Sequence, residues 1–171
     1  MCRIAIPAQM TAMTFEFITD NLPPDGDLQL VLAECRPADS NDWHVPAYKF
    51  HLQAQSGQYM GRIHLRIGWN ENVIRYAGQV GYAVEPQFRG HRYAERACRL
   101  ILPLARRHGL ESLWITCQPD NLASRRTLER LGASHAGTLD VPTWYPLDAG
   151  QERRKMCFRL PTARENAERK Q

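Results

Sequence analysis

The sequence predicts an α+β (mixed α/β) domain in which a largely antiparallel sheet is flanked by helices. Three observations lead there. Up to Pro86 the chain alternates apolar and polar residues with a period near two, broken by turn signals. From Tyr93 the period changes, and apolar residues recur at three- and four-residue steps. Beyond that helix come a short apolar run, a second helical pattern and a final pair of strand-like segments.

The elements follow in order. Residues 1–26 read as an N-terminal arm, because Pro23-Pro24 and Asp25-Gly26 are turn signals ahead of the first strand, 28–35. The stretch 37–46 is polar and turn-rich. Residues 48–54 and 60–67 form a hairpin across Gln55-Ser56-Gly57-Gln58. A turn at 68–72 leads into 73–84, read as one apolar, aromatic central strand that ends at Glu85-Pro86, since proline lacks a ladder donor. The helix opening at Tyr93 gathers Ala94, Ala97, Cys98, Ile101, Leu102, Ala105 and His108 on one face and closes at Gly109. Pro103 inside it predicts a kink. Residues 113–117 read as a strand and 121–131 as a helix ending at Gly132. A last hairpin joins 134–141 to 155–160 through a loop holding Pro142, Pro146 and Gly150. The main domain is thus 27–160, with a charged tail at 161–171.

Composition bounds the function. At 171 residues, 43% hydrophobic and 23% charged, the chain suits one globular domain. No stretch approaches the ~20 apolar residues of a membrane span. The first 13 residues lack the basic and apolar regions of a secretory signal, and the five scattered cysteines fit neither a disulfide framework nor a zinc ribbon. Reduced thiols, a cytoplasmic location and no metal are expected. Net charge is +4, from 22 basic and 18 acidic residues, with basic runs at 89–92, Arg106-Arg107 and 153–155. Those runs suit a polyanionic ligand. Nucleic acid is not expected, because no aromatic platform is interleaved with the cations in a recognisable binding motif.

The junction between the central strand and the first helix carries the strongest motif. Val84-Glu85-Pro86-Gln87-Phe88-Arg89-Gly90-His91-Arg92-Tyr93-Ala94 is a basic, glycine-containing turn that opens a helix, where unpaired N–H groups and the positive end of the dipole favour a diphosphate. It resembles the acetyl-CoA signature of the GNAT superfamily of N-acetyltransferases, Arg/Gln-x-x-Gly-x-Gly/Ala. Arg89 fills the first position and Ala94 the last, while Arg92 stands where that family most often has glycine. Asn121-x-x-Ser124, on a helix ending Leu131-Gly132-Ala133 after the strand 113–117, resembles the family's later motif. The resemblance implies a GNAT-like sheet and a pyrophosphate held by 87–94, with Val84, Gln87, Arg89, Gly90, His91, Arg92, Tyr93, Ala94, Asn121 and Ser124 as cofactor contacts. Asn121 also stands where a helix N-cap belongs.

The acid and base of relatives that acetylate N-terminal alanine fall, by spacing, on Thr116 and Leu128. Neither can transfer a proton at neutral pH. Tyr82 and Glu85 near the strand–loop junction are the remaining catalytic candidates, with Ser124 as donor to a departing thiolate. Tyr82 as core, Glu85 as a solvated strand end and Ser124 as a cap are the competing structural roles. His51 and His64 read equally as polar positions on an exposed sheet face, and His91 as a surface residue. Trp144 and Tyr145 either line an acceptor pocket or anchor their loop. The implied function is transfer of acetyl from acetyl-CoA to a primary amine of a small molecule or peptide; the alternative is a CoA-binding sensor without turnover. Expected partners are acetyl-CoA and an amine acceptor, with a homodimer left open.

Overall fold

Among the described residues, seven strands and two long helices follow one another in the order that the change of period predicts. In the computed structural model, residues 15–39, 45–147 and 149–163 are described, so the start of the predicted arm and most of the charged tail lie outside them. β1 (Leu28–Arg36), β2 (Ala47–Ala54), β3 (Tyr59–Arg66) and β4 (Val80–Val84) form an antiparallel sheet in that order. Then come α1 (Tyr93–Arg107), β5 (Ser112–Cys117), α2 (Leu122–Leu131), β6 (Ser134–Asp140) and β7 (Arg154–Pro161). β7 lies between β5 and β6 and runs antiparallel to both. Among the described residues no helix is long and apolar enough to cross a membrane.

One face of the first sheet is apolar because its strands alternate. Leu28 and Leu30 of β1, Tyr48, Phe50 and Leu52 of β2, and Ile63 and Leu65 of β3 are buried against Ala97, Cys98, Ile101, Leu104 and Ala105 of α1. Leu113, Ile115, Phe158 and Leu160 continue that core into the second sheet, where Leu128 and Leu131 of α2 cover it. α1 runs through Pro103 for another turn, and Gly109 follows it with φ +74°. α2 ends at Gly132, in the left-handed conformation that commonly closes a helix.

The predicted strand 73–84 is two elements, not one. Val73–Ala77 forms a π-helical turn, Gly78 turns the chain with φ +73°, and only Val80–Val84 is strand. Val73 and Ile74 are 1% exposed, and the turn packs on β5. An apolar run this short is compatible with a buried helical turn or a buried strand, and periodicity does not separate them. Tertiary bonds settle the matter: the Tyr76 carbonyl accepts from Thr116 Oγ1 at 3.0 Å and from Lys155 Nζ at 2.8 Å.

Gln79 then joins the two sheets. Its backbone N–H donates to the Trp114 carbonyl at 2.6 Å, and its side-chain oxygen accepts from the Trp114 N–H at 2.8 Å. Its side-chain nitrogen donates to the Gly68 carbonyl at 2.9 Å, and the residue is fully buried. The β4–β5 link is therefore made at the start of β4. Beyond it the two strands belong to separate sheets.

The arm is fastened rather than loose over its described part. Phe15, Phe17, Ile18 and Leu22 pack on the core, and the Tyr48 hydroxyl accepts from Ile18 N–H at 2.7 Å while bonding His108 Nε2 at 2.6 Å. Asp25 and Asp27 hold Arg96 of α1 at 2.7 and 2.8 Å, and Asp27 also accepts from the Tyr93 hydroxyl. Those bonds, first from Tyr93 and then from Arg96, keep the Asp27 carboxyl below the usual range.

Replacing Gln79 with leucine leaves the half-buried Trp114 N–H and Gly68 carbonyl without their partner. A loss of about 2–4 kcal/mol in urea unfolding is expected from two such groups. A loss under about 0.5 kcal/mol would mean that the sheets are joined by packing alone.

Candidate functional site

The two sheets part beyond Gln79, and a groove of about 570 Å³ opens between the end of β4, the loop after it, the first turn of α1 and one face of α2. Hydrogen-bond alternation fixes which backbone groups face the gap. Glu85 N–H donates to the Met60 carbonyl and the Gln79 carbonyl accepts from Arg66 N–H, so residues 81 and 83 between them turn their backbone groups to β3. Tyr82 and Val84 turn theirs toward the gap. Gly61, with φ +151°, lets β3 approach closely: a Cβ there would stand 2.2 Å from the Ala83 carbonyl.

The loop reaches the helix by two left-handed residues. Gly90 has φ +89°, and Arg92, the N-cap of α1, has φ +59° and ψ +22°; it is the one non-glycine residue with positive φ among the described residues. That conformation explains a glycine preference at this position, because a Cβ there costs roughly 1–2 kcal/mol. Arg92 makes no side-chain cap, and the first intrahelical bond runs from Arg96 N–H to Arg92 at 3.0 Å. The N–H groups of Tyr93, Ala94 and Glu95 precede it. α2 differs, since Asn121 Oδ1 accepts the Ser124 N–H at 3.0 Å.

Of the residues expected to contact cofactor, Val84, Arg89, Gly90, Arg92, Tyr93, Ala94, Asn121 and Ser124 line the groove. Gln87 and His91 do not. Gln87 is exposed on a 3₁₀ turn, and His91 Nδ1 bonds the Arg89 carbonyl at 3.1 Å. Arg89 folds back so that its Nε donates to the Val84 carbonyl at 3.1 Å.

Among the catalytic candidates, Tyr82 and Ser124 meet across the groove floor, hydroxyl to hydroxyl at 2.9 Å. Burial first, then the neighbouring Cys98, pushes the Tyr82 phenol well above its ordinary range, and the Ser124 bond offsets this only in part. Tyr82 therefore stays protonated at neutral pH. Glu85 does not line the groove, nor does any other carboxylate. Thr116 spends its hydroxyl on the Tyr76 carbonyl, and Leu128 is fully buried.

The remaining candidates lie elsewhere. His51 and His64 sit on the helix-free face of the first sheet, with His51 edge-on to Tyr59 at 5.1 Å. Trp144 and Tyr145 pack on Tyr76 at 5.8 and 5.3 Å, although Trp144 is 58% exposed. Among the described residues there is no group of three His, Cys, Asp or Glu residues able to hold a metal.

Sequence reasoning missed one wall of the groove. Ala123, Arg126, Thr127 and Arg130 of α2 line it, at i, i+3, i+4 and i+7. That stripe is readable in the sequence as one helix face. Arg130 Nε also bonds Glu95 of α1 at 2.9 Å, and Arg99 bonds the same carboxyl at 3.1 Å. Burial alone would raise the Glu95 carboxyl, but the bonds from Arg130 and Arg99 outweigh it and hold it below its usual range.

Known structures share this architecture. A GNAT-family acetyltransferase from Bacillus anthracis aligns with TM-score 0.54 at 17% identity, covering 67% of this chain and 66% of that one. The microcin C7 self-immunity acetyltransferase MccE, solved with acetyl-CoA and AMP, aligns with TM-score 0.52 at 18% identity over 67% and 61%. RimL, a ribosomal L7/L12 alpha-N-protein acetyltransferase, aligns with TM-score 0.59 at 14% identity over 84% and 98%. The matched region thus spans a little under two thirds of the first two relatives. No curated protein matches the sequence. The family model described as "Acetyltransferase (GNAT) domain" matches residues 5–134, which takes in β1 to β5, the loop before α1 and the whole of α2; the chain belongs to the GNAT acetyltransferase domain family.

Proposed function

We propose that this protein is an acetyl-CoA-dependent N-acetyltransferase acting on a primary amine. The observation that carries the reading is the uncapped N-terminus of α1, which presents three backbone N–H groups beside a groove lined by Arg89, Arg92 and Arg126 and by no carboxylate. A helix start of this kind suits a diphosphate. In this reading, acetyl-CoA fits with its pyrophosphate against Gly90 to Ala94 and its pantetheine arm along Tyr82, Asn121 and Ser124.

The chemistry then falls to few groups. The amine nitrogen bonds the acyl carbon, the thioester C–S bond breaks, one amine proton passes to water and the thiolate takes a proton as it leaves. The Val84 N–H, directed into the gap, polarises the acyl oxygen. Ser124 donates the proton to the thiolate and recovers one through Tyr82, which the water carrying the amine proton reprotonates. Holding the reactants together supplies much of the remaining acceleration. A sensor that binds CoA without turnover is the outcome if thiol release is never seen.

Acetyl-CoA should raise the melting temperature, because a ligand that binds only the folded state stabilises it. Gly90→Val, forced to hold φ near +89°, should lose that shift while remaining folded by circular dichroism. An undiminished shift in the variant would place the pyrophosphate elsewhere.

Arg92→Gly separates strain from charge. Removing the left-handed penalty of roughly 1–2 kcal/mol against a glycine entropy cost of roughly 0.5–1 kcal/mol should leave the ligand-free protein equally stable or slightly more so. Losing the guanidinium should weaken CoA binding by about 1 kcal/mol or more, read by calorimetry. Tighter binding by the glycine variant would contradict a phosphate contact by Arg92.

With no carboxylate in the groove, kcat should climb with pH toward the pKa of the acceptor amine. Tyr82→Phe is expected to lower kcat by about 10- to 100-fold, and Glu85→Gln by less than about 10-fold. A plateau near neutrality with a several-thousandfold loss in either variant would instead mark that residue as a dedicated acid or base.

A further inference from the structure

The face of the first sheet that α1 leaves uncovered is built from cations. β3 presents Arg62, His64 and Arg66 there, alternating with the buried Ile63 and Leu65. In register, Arg62 lies opposite Ala83 and His64 opposite Gly81 of β4, and Ala83 also lines the groove. Cross-strand neighbours are about 5 Å apart, so this basic row runs one strand away from the gap at which the acyl group would meet its acceptor. On the other side, Lys49 of β2 pairs with His64 in register, and Arg36 of β1 pairs with Ala47.

Arg36, Lys49, His64 and Arg66 line a recess of about 220 Å³, which Glu34 also enters. Glu34 is 3.6 Å from Lys49 and is the one carboxylate lining the recess. Arg66 is partly committed, donating to the Gly78 carbonyl at 3.1 Å. Arg36 and Arg62 have no hydrogen-bond or ion-pair partner among the described residues. His64 Nε2 is buried and also lacks one. Its imidazole is held down to about 4, first by burial and then by Arg66, Arg62, Lys49 and Arg36, so all four cations bear on one ring. Clustered like charges disfavour the ligand-free arrangement, and a bound anion relieves them.

The layout selects among anions. Arg62, Lys49 and Arg36 step by one strand and two residues each, since Lys49 lies opposite His64 and Arg36 opposite Ala47, and a spacing of roughly 8 Å suits several carboxylates on one chain better than a single phosphate. No exposed aromatic ring lines the recess for a nucleobase to stack on.

We propose that the helix-free face of β1–β3 binds a polypeptide N-terminus whose first residues carry carboxylates, with the α-amine at the β4 edge beside Ala83 and the acidic side chains over Arg62, Lys49 and Arg36. This rests on the acetyltransferase reading for the fate of the amine, but not for the docking itself. The nitrogen gains the acyl carbon and gives one proton to water, and the thiol is the leaving group.

The test uses three labelled peptides with a free N-terminal alanine, differing only in the next three residues: Glu-Glu-Asp, Gln-Gln-Asn or Lys-Lys-Lys. Binding is read by fluorescence anisotropy and turnover by thiol release with acetyl-CoA. The acidic peptide should bind about 10-fold more tightly than the neutral one at low salt, and the advantage should shrink as salt screens the exposed charges. The double variant Lys49→Gln, Arg62→Gln should lose about 5- to 10-fold of that preference, as two exposed ion pairs allow, while binding acetyl-CoA as before. In NMR titrations the acidic peptide should raise the His64 pKa, a response that general loosening of the sheet would not give selectively. Equal binding of acidic and neutral peptides, unchanged discrimination by the double variant, or displacement of the acidic peptide by equimolar AMP would each overturn the proposal. Charge-dependent binding without thiol release would support the docking face and overturn the acetyl-transfer reading instead.

Discussion

A single buried amide holds the two sheets at the place where they separate. Gln79 satisfies both backbone groups of Trp114, one through its own N–H and one through its side chain, and anchors the Gly68 carbonyl with the remaining donor. Had β4 and β5 continued to pair, their facing backbone groups would be consumed in a ladder and the groove would be closed. Had they not been joined at all, the donors on Val84 and the hydroxyl on Ser124 would have no fixed separation. The clamp needs its surroundings: the π-helical turn at Val73–Ala77 brings Gly78 against β5, where a Cβ would stand 3.1 Å from Thr116 N. A hydrogen-bonded group in this position is costly to disturb because Gln79 is fully buried and its half-buried partners would lose their bonds.

The two helix starts facing the groove are treated differently, and the difference is chemical. α2 satisfies one donor of its first turn internally, the Ser124 N–H, through the Asn121 side chain. α1 has no such cap, and its N-cap residue is a strained arginine. A helix end of this kind retains positive potential from its unpaired donors, reinforced here by the arginines that line the groove. The Glu95 carboxylate bonds to both Arg99 and Arg130, so α1 and α2 are tied together without placing a negative charge on the groove surface.

The net charge of +4 conceals how the charge is arranged. Alternation along β2 and β3 sends Tyr48, Phe50, Ile63 and Leu65 inward and Lys49, Arg62, His64 and Arg66 outward, so basic side chains accumulate on the face that carries no long helix. The groove between α1 and α2 is basic for a separate reason, the arginines of the loop and of the α2 stripe. Two positive surfaces thus lie on opposite sides of the split sheet, with β4 between them. Asp25 and Asp27 are engaged with Arg96, and Glu95 with Arg99 and Arg130.

The sequence by itself determined whatever depends on neighbours along the chain. Alternation defined β1, β2 and β3, a three-to-four-residue period defined α1 and α2, and glycines after each helix marked their ends. The loop before α1 was legible because a turn, a glycine and cations at a helix start are all local. The stripe Ala123, Arg126, Thr127 and Arg130 was equally local and was passed over. The division of 73–84 was not local: Val73 and Ile74 are apolar in either conformation, and only the bonds from Thr116 and Lys155, distant in sequence, favour the π-helical turn. The same holds for the Gln79 clamp, for Tyr82 meeting Ser124, and for the partners of the imidazole of His64, since each joins residues that no periodicity relates. A side chain's face can be read from its own segment, but its partner is decided by which other segment folds against it.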